Sequence, residues 1–347
     1  MTTANPMWGF ERLEPRALFS ATFTVTTTTD AGPGSLRQAL LDANAAADSS
    51  VNVRFAIPGD GILVLAAVTQ IGGPGAGDGN VIAGNNGDGI RIDGVHLDTL
   101  APMFVVQRNA IGIGATGAPL ANLGDGVRIA TRATGITIGG DRAGLGNRIA
   151  YNRDAGLAVG RASPQSDVAK GTSILGNSIF ANAKPDIDLG DDGPTPNDEL
   201  DADTGPNFLS NAPVLTAATR RAGITTVRLT LDARPRTPYR LQVFADTRDP
   251  AGRITARTLV YQATLTTNAA GHAWLKFLAS SLRTGQTLTT TATDVDLGAT
   301  SEFSAPRTVL LAPRTPPATT LPPAAVQARS IFRQAPDDDD NGPDLLD

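Results

Sequence analysis

The segment Asn80-Val-Ile-Ala-Gly-Asn85, followed by Asp88-Gly-Ile-Arg-Ile92, decides the fold that the sequence predicts for this chain of 347 residues. Each half places a short apolar run beside Asn, Asp or Gly. Similar segments recur along the chain: Asn109-Ala-Ile-Gly-Ile113, Asp125-Gly-Val-Arg-Ile129, Gly135-Ile-Thr-Ile138, Asn147-Arg-Ile-Ala-Tyr-Asn152, Asp154-Ala-Gly-Leu-Ala-Val159, Asn177-Ser-Ile-Phe-Ala-Asn182 and Asp186-Ile-Asp-Leu189. The region between residues 80 and 189 is therefore an irregular repeat of short strands.

These strands are expected to form a coil of parallel strands. Apolar residues alternate within them, as in Ile90 and Ile92, which is typical of a strand with one buried face. The Gly, Asn and Asp residues between strands tolerate tight corners, and no segment is long enough for helical crossovers. A repeat of roughly 20–30 residues then predicts a parallel β-helix. The corner Asn residues either bond their counterparts one turn away or simply form turns.

The same residues carry a resemblance. The segments Asn80–Asp93, Asn109–Gly117 and Gly124–Asn152 resemble the bacterial right-handed parallel β-helix repeat proteins, which are similar in architecture to pectate-lyase-like folds. The flanking segments match the same proteins, so that the resemblance covers roughly residues 22–310. It implies a right-handed coil.

Composition restricts the partners of the chain. The net charge is −5 and only three Lys occur, so no basic stripe is expected and nucleic acid is not a predicted partner. The absence of Cys excludes disulfides, thiolate metal sites and Cys nucleophiles. The longest apolar run, Ile62–Val68, is too short to cross a bilayer, so no transmembrane segment is predicted.

Four segments are expected along the chain. Residues 1–21 form a disordered leader, and residues 22–215 form the β-helix. Residues 222–312 form an antiparallel β-sandwich of immunoglobulin-like type, because six longer strands alternate in pattern and are separated by turn signals. Residues 313–347 are rich in Pro and then acidic, which predicts a disordered tail. The fold class is therefore all-β, and Trp274 is expected in the sandwich core or at its edge.

The N-terminal part holds two further signals. Phe10–Ala21 resembles the LEPR-XLL segment of large exported bacterial repeat proteins, which implies an extracellular or cell-surface location, although no ordinary signal peptide is visible. Ser35-Leu-Arg-Gln38 fits a capping box and predicts a helix to about Ala46. This helix is expected to cap the first turn of the β-helix, whose strand edges would otherwise be open to aggregation.

An acidic segment is the candidate metal site. Residues 186–203 include eight Asp and Glu residues and no Lys or Arg, and oxygen-rich loops suit Ca²⁺. The spacing does not match an EF-hand loop, so a solvated junction loop is the alternative. The candidate ligands are Asp186, Asp188, Asp191, Asp192, Asp198, Asp201 and Asp203.

A second candidate site is a charged face of the β-helix. Three Arg residues neighbour inward-pointing Ile residues and are therefore expected to project outward, and together with two Asp residues they could line a groove for polysaccharide. The alternative is a solvated surface with weak ion pairs. The candidates are Asp88, Arg91, Asp125, Arg128 and Arg148. No catalytic residue is predicted, since His96 and His272 belong to no recognised catalytic motif.

The resemblance implies an exported or cell-surface protein with a structural or adhesive role, whose partner would be a polysaccharide or another cell-surface component. Fold alone does not fix function. The alternative is a calcium-dependent polysaccharide lyase that acts on uronate polymers, which would need an Arg or Lys base near calcium-bound carboxylates.

Overall fold

The computed structural model of the chain describes residues 20–26, 32–45, 50–55, 62–64, 69–93, 104–130, 133–161, 169–248, 252 and 254–313. Those up to Ala312 belong to one compact unit. Nearly all regular structure in the described part is β, as predicted. Except for Ser20, Ala21 and Pro313, the predicted leader and tail lie outside the described residues, as does His96.

Fifteen strands precede the acidic segment. They are β1 (Ser20–Val25), β2 (Ser50–Phe55), β3 (Ile62–Val64), β4 (Thr69–Gly72), β5 (Val81–Ile82), β6 (Ile90–Asp93), β7 (Phe104–Gln107), β8 (Ala110–Ile111), β9 (Val127–Ala130), β10 (Thr134–Gly139), β11 (Arg148–Ala150), β12 (Leu157–Val159), β13 (Lys170–Leu175), β14 (Ser178–Phe180) and β15 (Ile187–Leu189). Strand β1 begins at Ser20, inside the segment predicted as a leader.

The strands from β3 to β15 form three parallel sheets. The sheets are β4-β7-β10-β13, β5-β8-β11-β14 and β3-β6-β9-β12-β15. The chain visits them in constant order, so each strand pairs with the strand three places further along. Ile90 pairs with Val127 and Val127 with Leu157, which are 37 and 30 residues apart. The repeat is therefore somewhat longer than the sequence predicted.

One apolar core lies between the three sheets. Ile90, Val127, Leu157 and Ile187 follow one another in register and are all buried. The predicted inward stacking of Ile and Val is confirmed. Packing is close at the corners: Gly139 has φ +85°, and a Cβ there would lie 2.1 Å from the carbonyl oxygen of Leu175. A side chain cannot fit there, which explains a glycine at this position.

Two ladders of asparagine side chains run along the corners. The first contains Asn80, Asn109, Asn147 and Asn177, and the second contains Asn85, Asn122, Asn152 and Asn182. In the first ladder, each Oδ1 from Asn109 onward accepts hydrogen bonds from the backbone N–H and the side-chain amide of the preceding Asn, at 2.8–3.0 Å. Corner asparagines therefore bond their counterparts, and the simple turn interpretation is wrong.

A single α-helix, α1 (Leu36–Ala45), is described near the N-terminus. The Oγ of Ser35 accepts a hydrogen bond from the backbone N–H of Gln38 at 3.1 Å, so the predicted N-cap is confirmed. The second half of the predicted capping box does not form, because the N–H of Ser35 donates to the carbonyl oxygen of Gly32 and the Gln38 side chain donates to Asp42 at 2.7 Å. The helix contacts β1 and β2, which pair in parallel.

The later strands form two largely antiparallel sheets. These strands are β16 (Val214–Arg221), β17 (Ile224–Asp232), β18 (Pro238–Arg248), β19 (Ile254–Thr266), β20 (His272–Ala279), β21 (Thr287–Asp294), β22 (Ala299–Thr300), β23 (Arg307–Thr308) and β24 (Leu310–Leu311). One sheet has the order β20-β17-β16-β24 and the other β19-β18-β21-β22, with β23 on β21. Their buried apolar residues form one shared cluster. This part begins at Val214 rather than at residue 222, because β16 already pairs with β17.

Among the described residues, no parallel strand follows the last turn, and its backbone N–H groups donate hydrogen bonds to side-chain oxygens instead. The N–H of Thr172 donates to Asn207 Oδ1 at 2.8 Å, and that of Ile174 donates to Thr300 Oγ1 at 2.9 Å. On the third sheet, the N–H of Leu189 donates to Glu302 Oε1 at 2.9 Å. The antiparallel part therefore covers this edge, which would otherwise invite further strands.

The ladder predicts a steep dependence of stability on Asn147. Replacement of Asn147 by Ala removes four side-chain hydrogen bonds and leaves buried amide groups without partners. Because each buried unsatisfied group costs roughly 1–3 kcal/mol, we expect the free energy of unfolding to fall by about 3 kcal/mol or more. Urea unfolding measures this change.

Asn80→Ala is the matched control, since Asn80 stands at the end of the ladder and loses a single side-chain bond. Its effect should be about 1 kcal/mol. Equal losses in the two variants would show that the ladder does not stabilise the stack.

Candidate functional site

Three of the predicted metal ligands converge. Asp198, Asp201 and Asp203 each place a carboxylate oxygen within 4.8 Å of the other two. They lie in the connection between β15 and β16, around the short 3₁₀ turn Glu199–Asp201. Leu200 and Asp201 have φ of +60° and +57°, so the chain folds back sharply and brings the three side chains to one side.

Asn211 fixes this turn. Its backbone N–H donates to Asp201 Oδ1 at 2.8 Å, and its side-chain amide donates to the carbonyl oxygens of Asp198 and Asp232, both at 2.8 Å. In addition, the carboxylate oxygen Oδ2 of Asp198 accepts hydrogen bonds from the backbone N–H groups of Ala202 and Asp203. The acidic turn is therefore preorganised and is tied to strand β17.

The three carboxylates of the turn lie close together, and their charges oppose one another. Burial and the charges of Asp203, Asp198 and Asp294 raise the pKa of Asp201 to about 6. Burial and the charge of Asp198 also raise the pKa of Asp203. The Oδ1 atoms of Asp198 and Asp203 are buried without hydrogen-bond partners. Carboxylate oxygens are ligands that suit Ca²⁺, and this cluster could hold a metal ion.

The other four predicted metal ligands have different surroundings. Asp186 lies 2.6 Å from Arg257 and also accepts a hydrogen bond from Asn182. Asp188 is buried and accepts the N–H groups of Asp192 and Gly193, and its burial raises its pKa. Asp191 forms an ion pair with Arg128 at 2.7 Å, and Asp192 is exposed. The structure thus does not bring these four to the acidic turn.

On the predicted polysaccharide face, the two Arg residues form ion pairs with Asp residues of the same chain. Arg91 forms ion pairs with Asp88 at 3.4 Å and with Asp93 at 2.7 Å. Arg128, which follows Arg91 in register, is 2% exposed and contacts Asp125 at 3.4 Å as well as Asp191. Its side chain also donates to the carbonyl oxygen of Gly160 at 3.1 Å.

Arg148 does not belong to that face. It begins β11, in a different sheet from β6 and β9, and it is exposed. The five candidate residues are therefore divided between two sheets. Four of them form two ion-pair groups, Arg91 with Asp88 and Arg128 with Asp125. A hydrogen bond from the backbone N–H of Asp125 to Asp88 joins the two groups into one charged network. The fifth residue lies on another surface.

Asp125 is the unusual member of the network. Burial and the charge of Asp88 raise its pKa to about 7, although Arg128 acts in the opposite direction. The reason is geometric, since Arg128 lies closer to Asp191 than to Asp125. The Oδ1 of Asp125 accepts the backbone N–H of Ala155 at 2.9 Å, so the carboxyl also connects neighbouring strands.

A cleft of about 460 Å³ lies between the last parallel strands and the antiparallel sheets. Its central cation, Arg257, contacts Asp186 at 2.6 Å and Asp246 at 2.9 Å and packs over the ring of Phe303. Glu302 accepts the N–H groups of Leu189 and Thr195. Sequence reasoning missed these residues because their partners are far apart in the chain and follow no motif.

A scan of protein-family models and a search of curated proteins gave no match to the chain. Among the described residues, no helix has the length and apolar character needed to cross a membrane. His272 is exposed and lies 2.5 Å from Asp232, through Nδ1. It joins no nucleophile and does not change the candidate sites.

Asp125 predicts a pH dependence of stability. A carboxyl whose pKa is raised in the folded state stabilises the fold below its unfolded pKa, and this contribution is lost as the pH rises through about 7. Asp125→Asn keeps the acceptor oxygen but cannot ionise. We therefore expect the variant to gain stability relative to the natural protein between pH 5 and pH 8, by on the order of 3 kcal/mol.

Urea unfolding at several pH values measures this difference. The control is Asp141→Asn, which removes an exposed carboxylate that pairs with Arg240 and should give a flat difference across the same range. A flat difference for Asp125→Asn as well would mean that Arg128 neutralises Asp125 fully.

Proposed function

We propose that this chain is an exported or cell-surface scaffold that uses a rigid stack of parallel strands to present binding surfaces to polysaccharide. The observation that carries this proposal is the saturation of the charged face. Arg91, Arg128, Asp88 and Asp125 are engaged with one another or with neighbouring residues of the same chain. Such a network favours a structural role over a catalytic one.

The architecture in this proposal is a right-handed parallel β-helix. The constant order of visits to three parallel sheets supports the coil, and the strong preference for right-handed crossovers between parallel strands supports the hand. Helix α1 would cap the N-terminal end, because it packs on β1 and β2. The two antiparallel sheets would form an immunoglobulin-like sandwich over the other end.

Calcium has a structural role in this proposal. Asp198, Asp201 and Asp203 would hold the ion, and Asn211 would keep their turn in place. The ion would neutralise the carboxylates and give the buried Oδ1 atoms of Asp198 and Asp203 a partner. It would thereby stabilise the connection between the parallel and antiparallel parts.

The alternative is a calcium-dependent lyase that acts on uronate polymers. Such an enzyme needs an accessible Arg or Lys to remove a proton from the sugar. Arg128 lies on the predicted face but is buried and paired with Asp191, so it is a poor base. The carboxylates that suit calcium come from the β15–β16 connection, whereas Arg128 comes from β9. We therefore favour the scaffold.

The calcium proposal predicts a binding-linked rise in the melting temperature. A ligand at 100 times its dissociation constant stabilises the folded state by about 2.7 kcal/mol. We expect this rise on addition of Ca²⁺, its reversal by EDTA, and its loss in Asp201→Asn. Asp192→Asn is the control, because it removes one exposed charge from the same acidic segment.

The same site predicts that calcium affinity depends on pH. Protons compete with Ca²⁺ for Asp201, whose pKa is about 6, so the affinity should rise as the pH rises from 5 to 7.5. Calorimetric titration at both pH values measures this change. A calcium response that persists in Asp201→Asn would place the ion elsewhere.

The scaffold and the lyase differ in one assay. Eliminative cleavage of a uronate polymer forms a product with a conjugated double bond that absorbs ultraviolet light, whereas a scaffold binds the polymer without forming this product. We expect no growth in absorbance with polygalacturonate and Ca²⁺. A growing signal that Arg128→Gln abolishes would establish the lyase and contradict the scaffold.

A further inference from the structure

The outer face of β20 carries an exposed tryptophan. Residues alternate along this strand, with Ala273 and Phe277 buried in the core and Trp274 and Lys276 on the outside. Trp274 is 74% exposed. Strand β20 is also the edge of its sheet, so the indole faces solvent at an open side of the fold. The expectation that Trp274 packs in the sandwich core or at the edge of that core is wrong, because its side chain lies on the outer face of the sheet.

Among the described residues, no ring contact or cation–π contact involves this indole. Tryptophan is highly buried on average because its large apolar surface is costly to leave in water. The ring contacts described for this protein join other residues, namely Tyr151 with Phe180, Phe244 with Phe303 and Tyr261 with Phe277. Exposed Trp residues are frequent in binding surfaces, where they are covered by a partner.

The residues around the indole are polar, with two cations on one side of it and the ion pair of His272 with Asp232 on the other. Thr230 lies directly opposite Trp274 on β17, and Arg228 lies opposite Lys276. All four side chains are exposed and point to the same side of the sheet. We call these residues, Arg228, Thr230, Trp274 and Lys276, the Trp274 face.

The two cations of this face have no ion-pair partner among the described residues. Other cations of the chain do have one: Arg91, Arg128, Lys184, Arg234, Arg240 and Arg257 each pair with an Asp. Arg228 and Lys276 are therefore available, in a protein of net charge −5, to bind a negatively charged partner.

We propose that the Trp274 face binds the sugar rings of a carboxylated polysaccharide. The flat indole offers its π face to the C–H groups of a sugar ring, and Thr230 offers a hydroxyl to the ring substituents. Arg228 can hold a carboxylate with two parallel N–H groups. Trp274 and Lys276 lie about 7 Å apart along the strand, which is within reach of one substituted sugar and its neighbour.

This assignment rests on the proposed function and adds to it the class of polymer and the surface that binds it. The observation that favours a carboxylated polymer over a protein is the pair of cations without ion-pair partners beside the ring, although exposed Leu278 and Val214 lie on the same outer face. Binding at this face is also independent of the parallel strands, since all four residues belong to β17 and β20.

The test is binding of the full chain to polygalacturonate, with neutral dextran as the comparison polymer. Biolayer interferometry would compare the natural protein with Trp274→Ala and with the double variant Arg228→Gln, Lys276→Gln. We expect at least a tenfold loss of affinity for each variant and no measurable binding to dextran. The double variant should also lose the salt dependence of binding.

Two controls separate this face from other surfaces. Leu310→Ala removes an apolar side chain that is 57% exposed at the opposite edge of the same sheet. Arg148→Gln removes an exposed cation from the parallel strands. Both should bind polygalacturonate as the natural protein does. All substituted side chains are exposed, and unchanged thermal unfolding would confirm that the variants fold.

Each contrary outcome identifies what is wrong. If Arg148→Gln weakens binding and Trp274→Ala does not, the polysaccharide scaffold stands and the Trp274 face falls. If the natural protein binds no polygalacturonate, both the partner and the face fall. Equal binding of dextran overturns the requirement for carboxylate. A dimer that Trp274→Ala dissociates in sedimentation would assign the face to a second copy of the chain.

Discussion

The structure depends on one requirement, which is that every backbone N–H at the corner of a turn must find an acceptor. Short strands leave many corner amides outside the regular ladders between strands. Asparagine meets this need because its amide both accepts and donates. In the buried interior of the stack, Asn109, Asn147 and Asn177 each donate to a backbone carbonyl while accepting from the preceding turn. The sheets are joined through these side chains.

The same requirement explains the end of the stack. Thr172, Ile174 and Leu189 have no next strand, so their N–H groups donate to side chains of Asn207, Thr300 and Glu302. Burial raises the pKa of Glu302, yet hydrogen bonds from two backbone N–H groups act in the opposite direction. The donors that surround this carboxyl thus offset part of the cost of placing it at a buried edge.

The sequence predicted the local features well and the long-range ones poorly. Alternating Ile and Val residues gave the strands, and the Asn residues that begin or end the recurring segments gave seven of the eight ladder positions. Asn122 was missed because a loop separates it from Ile111, its neighbour in the pattern. Asp198, Asp201 and Asp203 could be selected only as part of a larger acidic set. Their convergence depends on a backbone turn and on Asn211, which no spacing rule reveals.

Glu302, Thr300 and Asn207 also have a consequence for how such a chain can grow. Each turn of parallel strands exposes backbone N–H and C=O groups with which a further turn can pair. The side chains of these three residues accept hydrogen bonds from the last turn but expose no new strand edge. The change from main-chain to side-chain acceptors therefore ends the addition of parallel strands at this edge. Insertion of further turns is compatible with it only upstream, so the number of turns can vary in evolution while the terminus keeps its form.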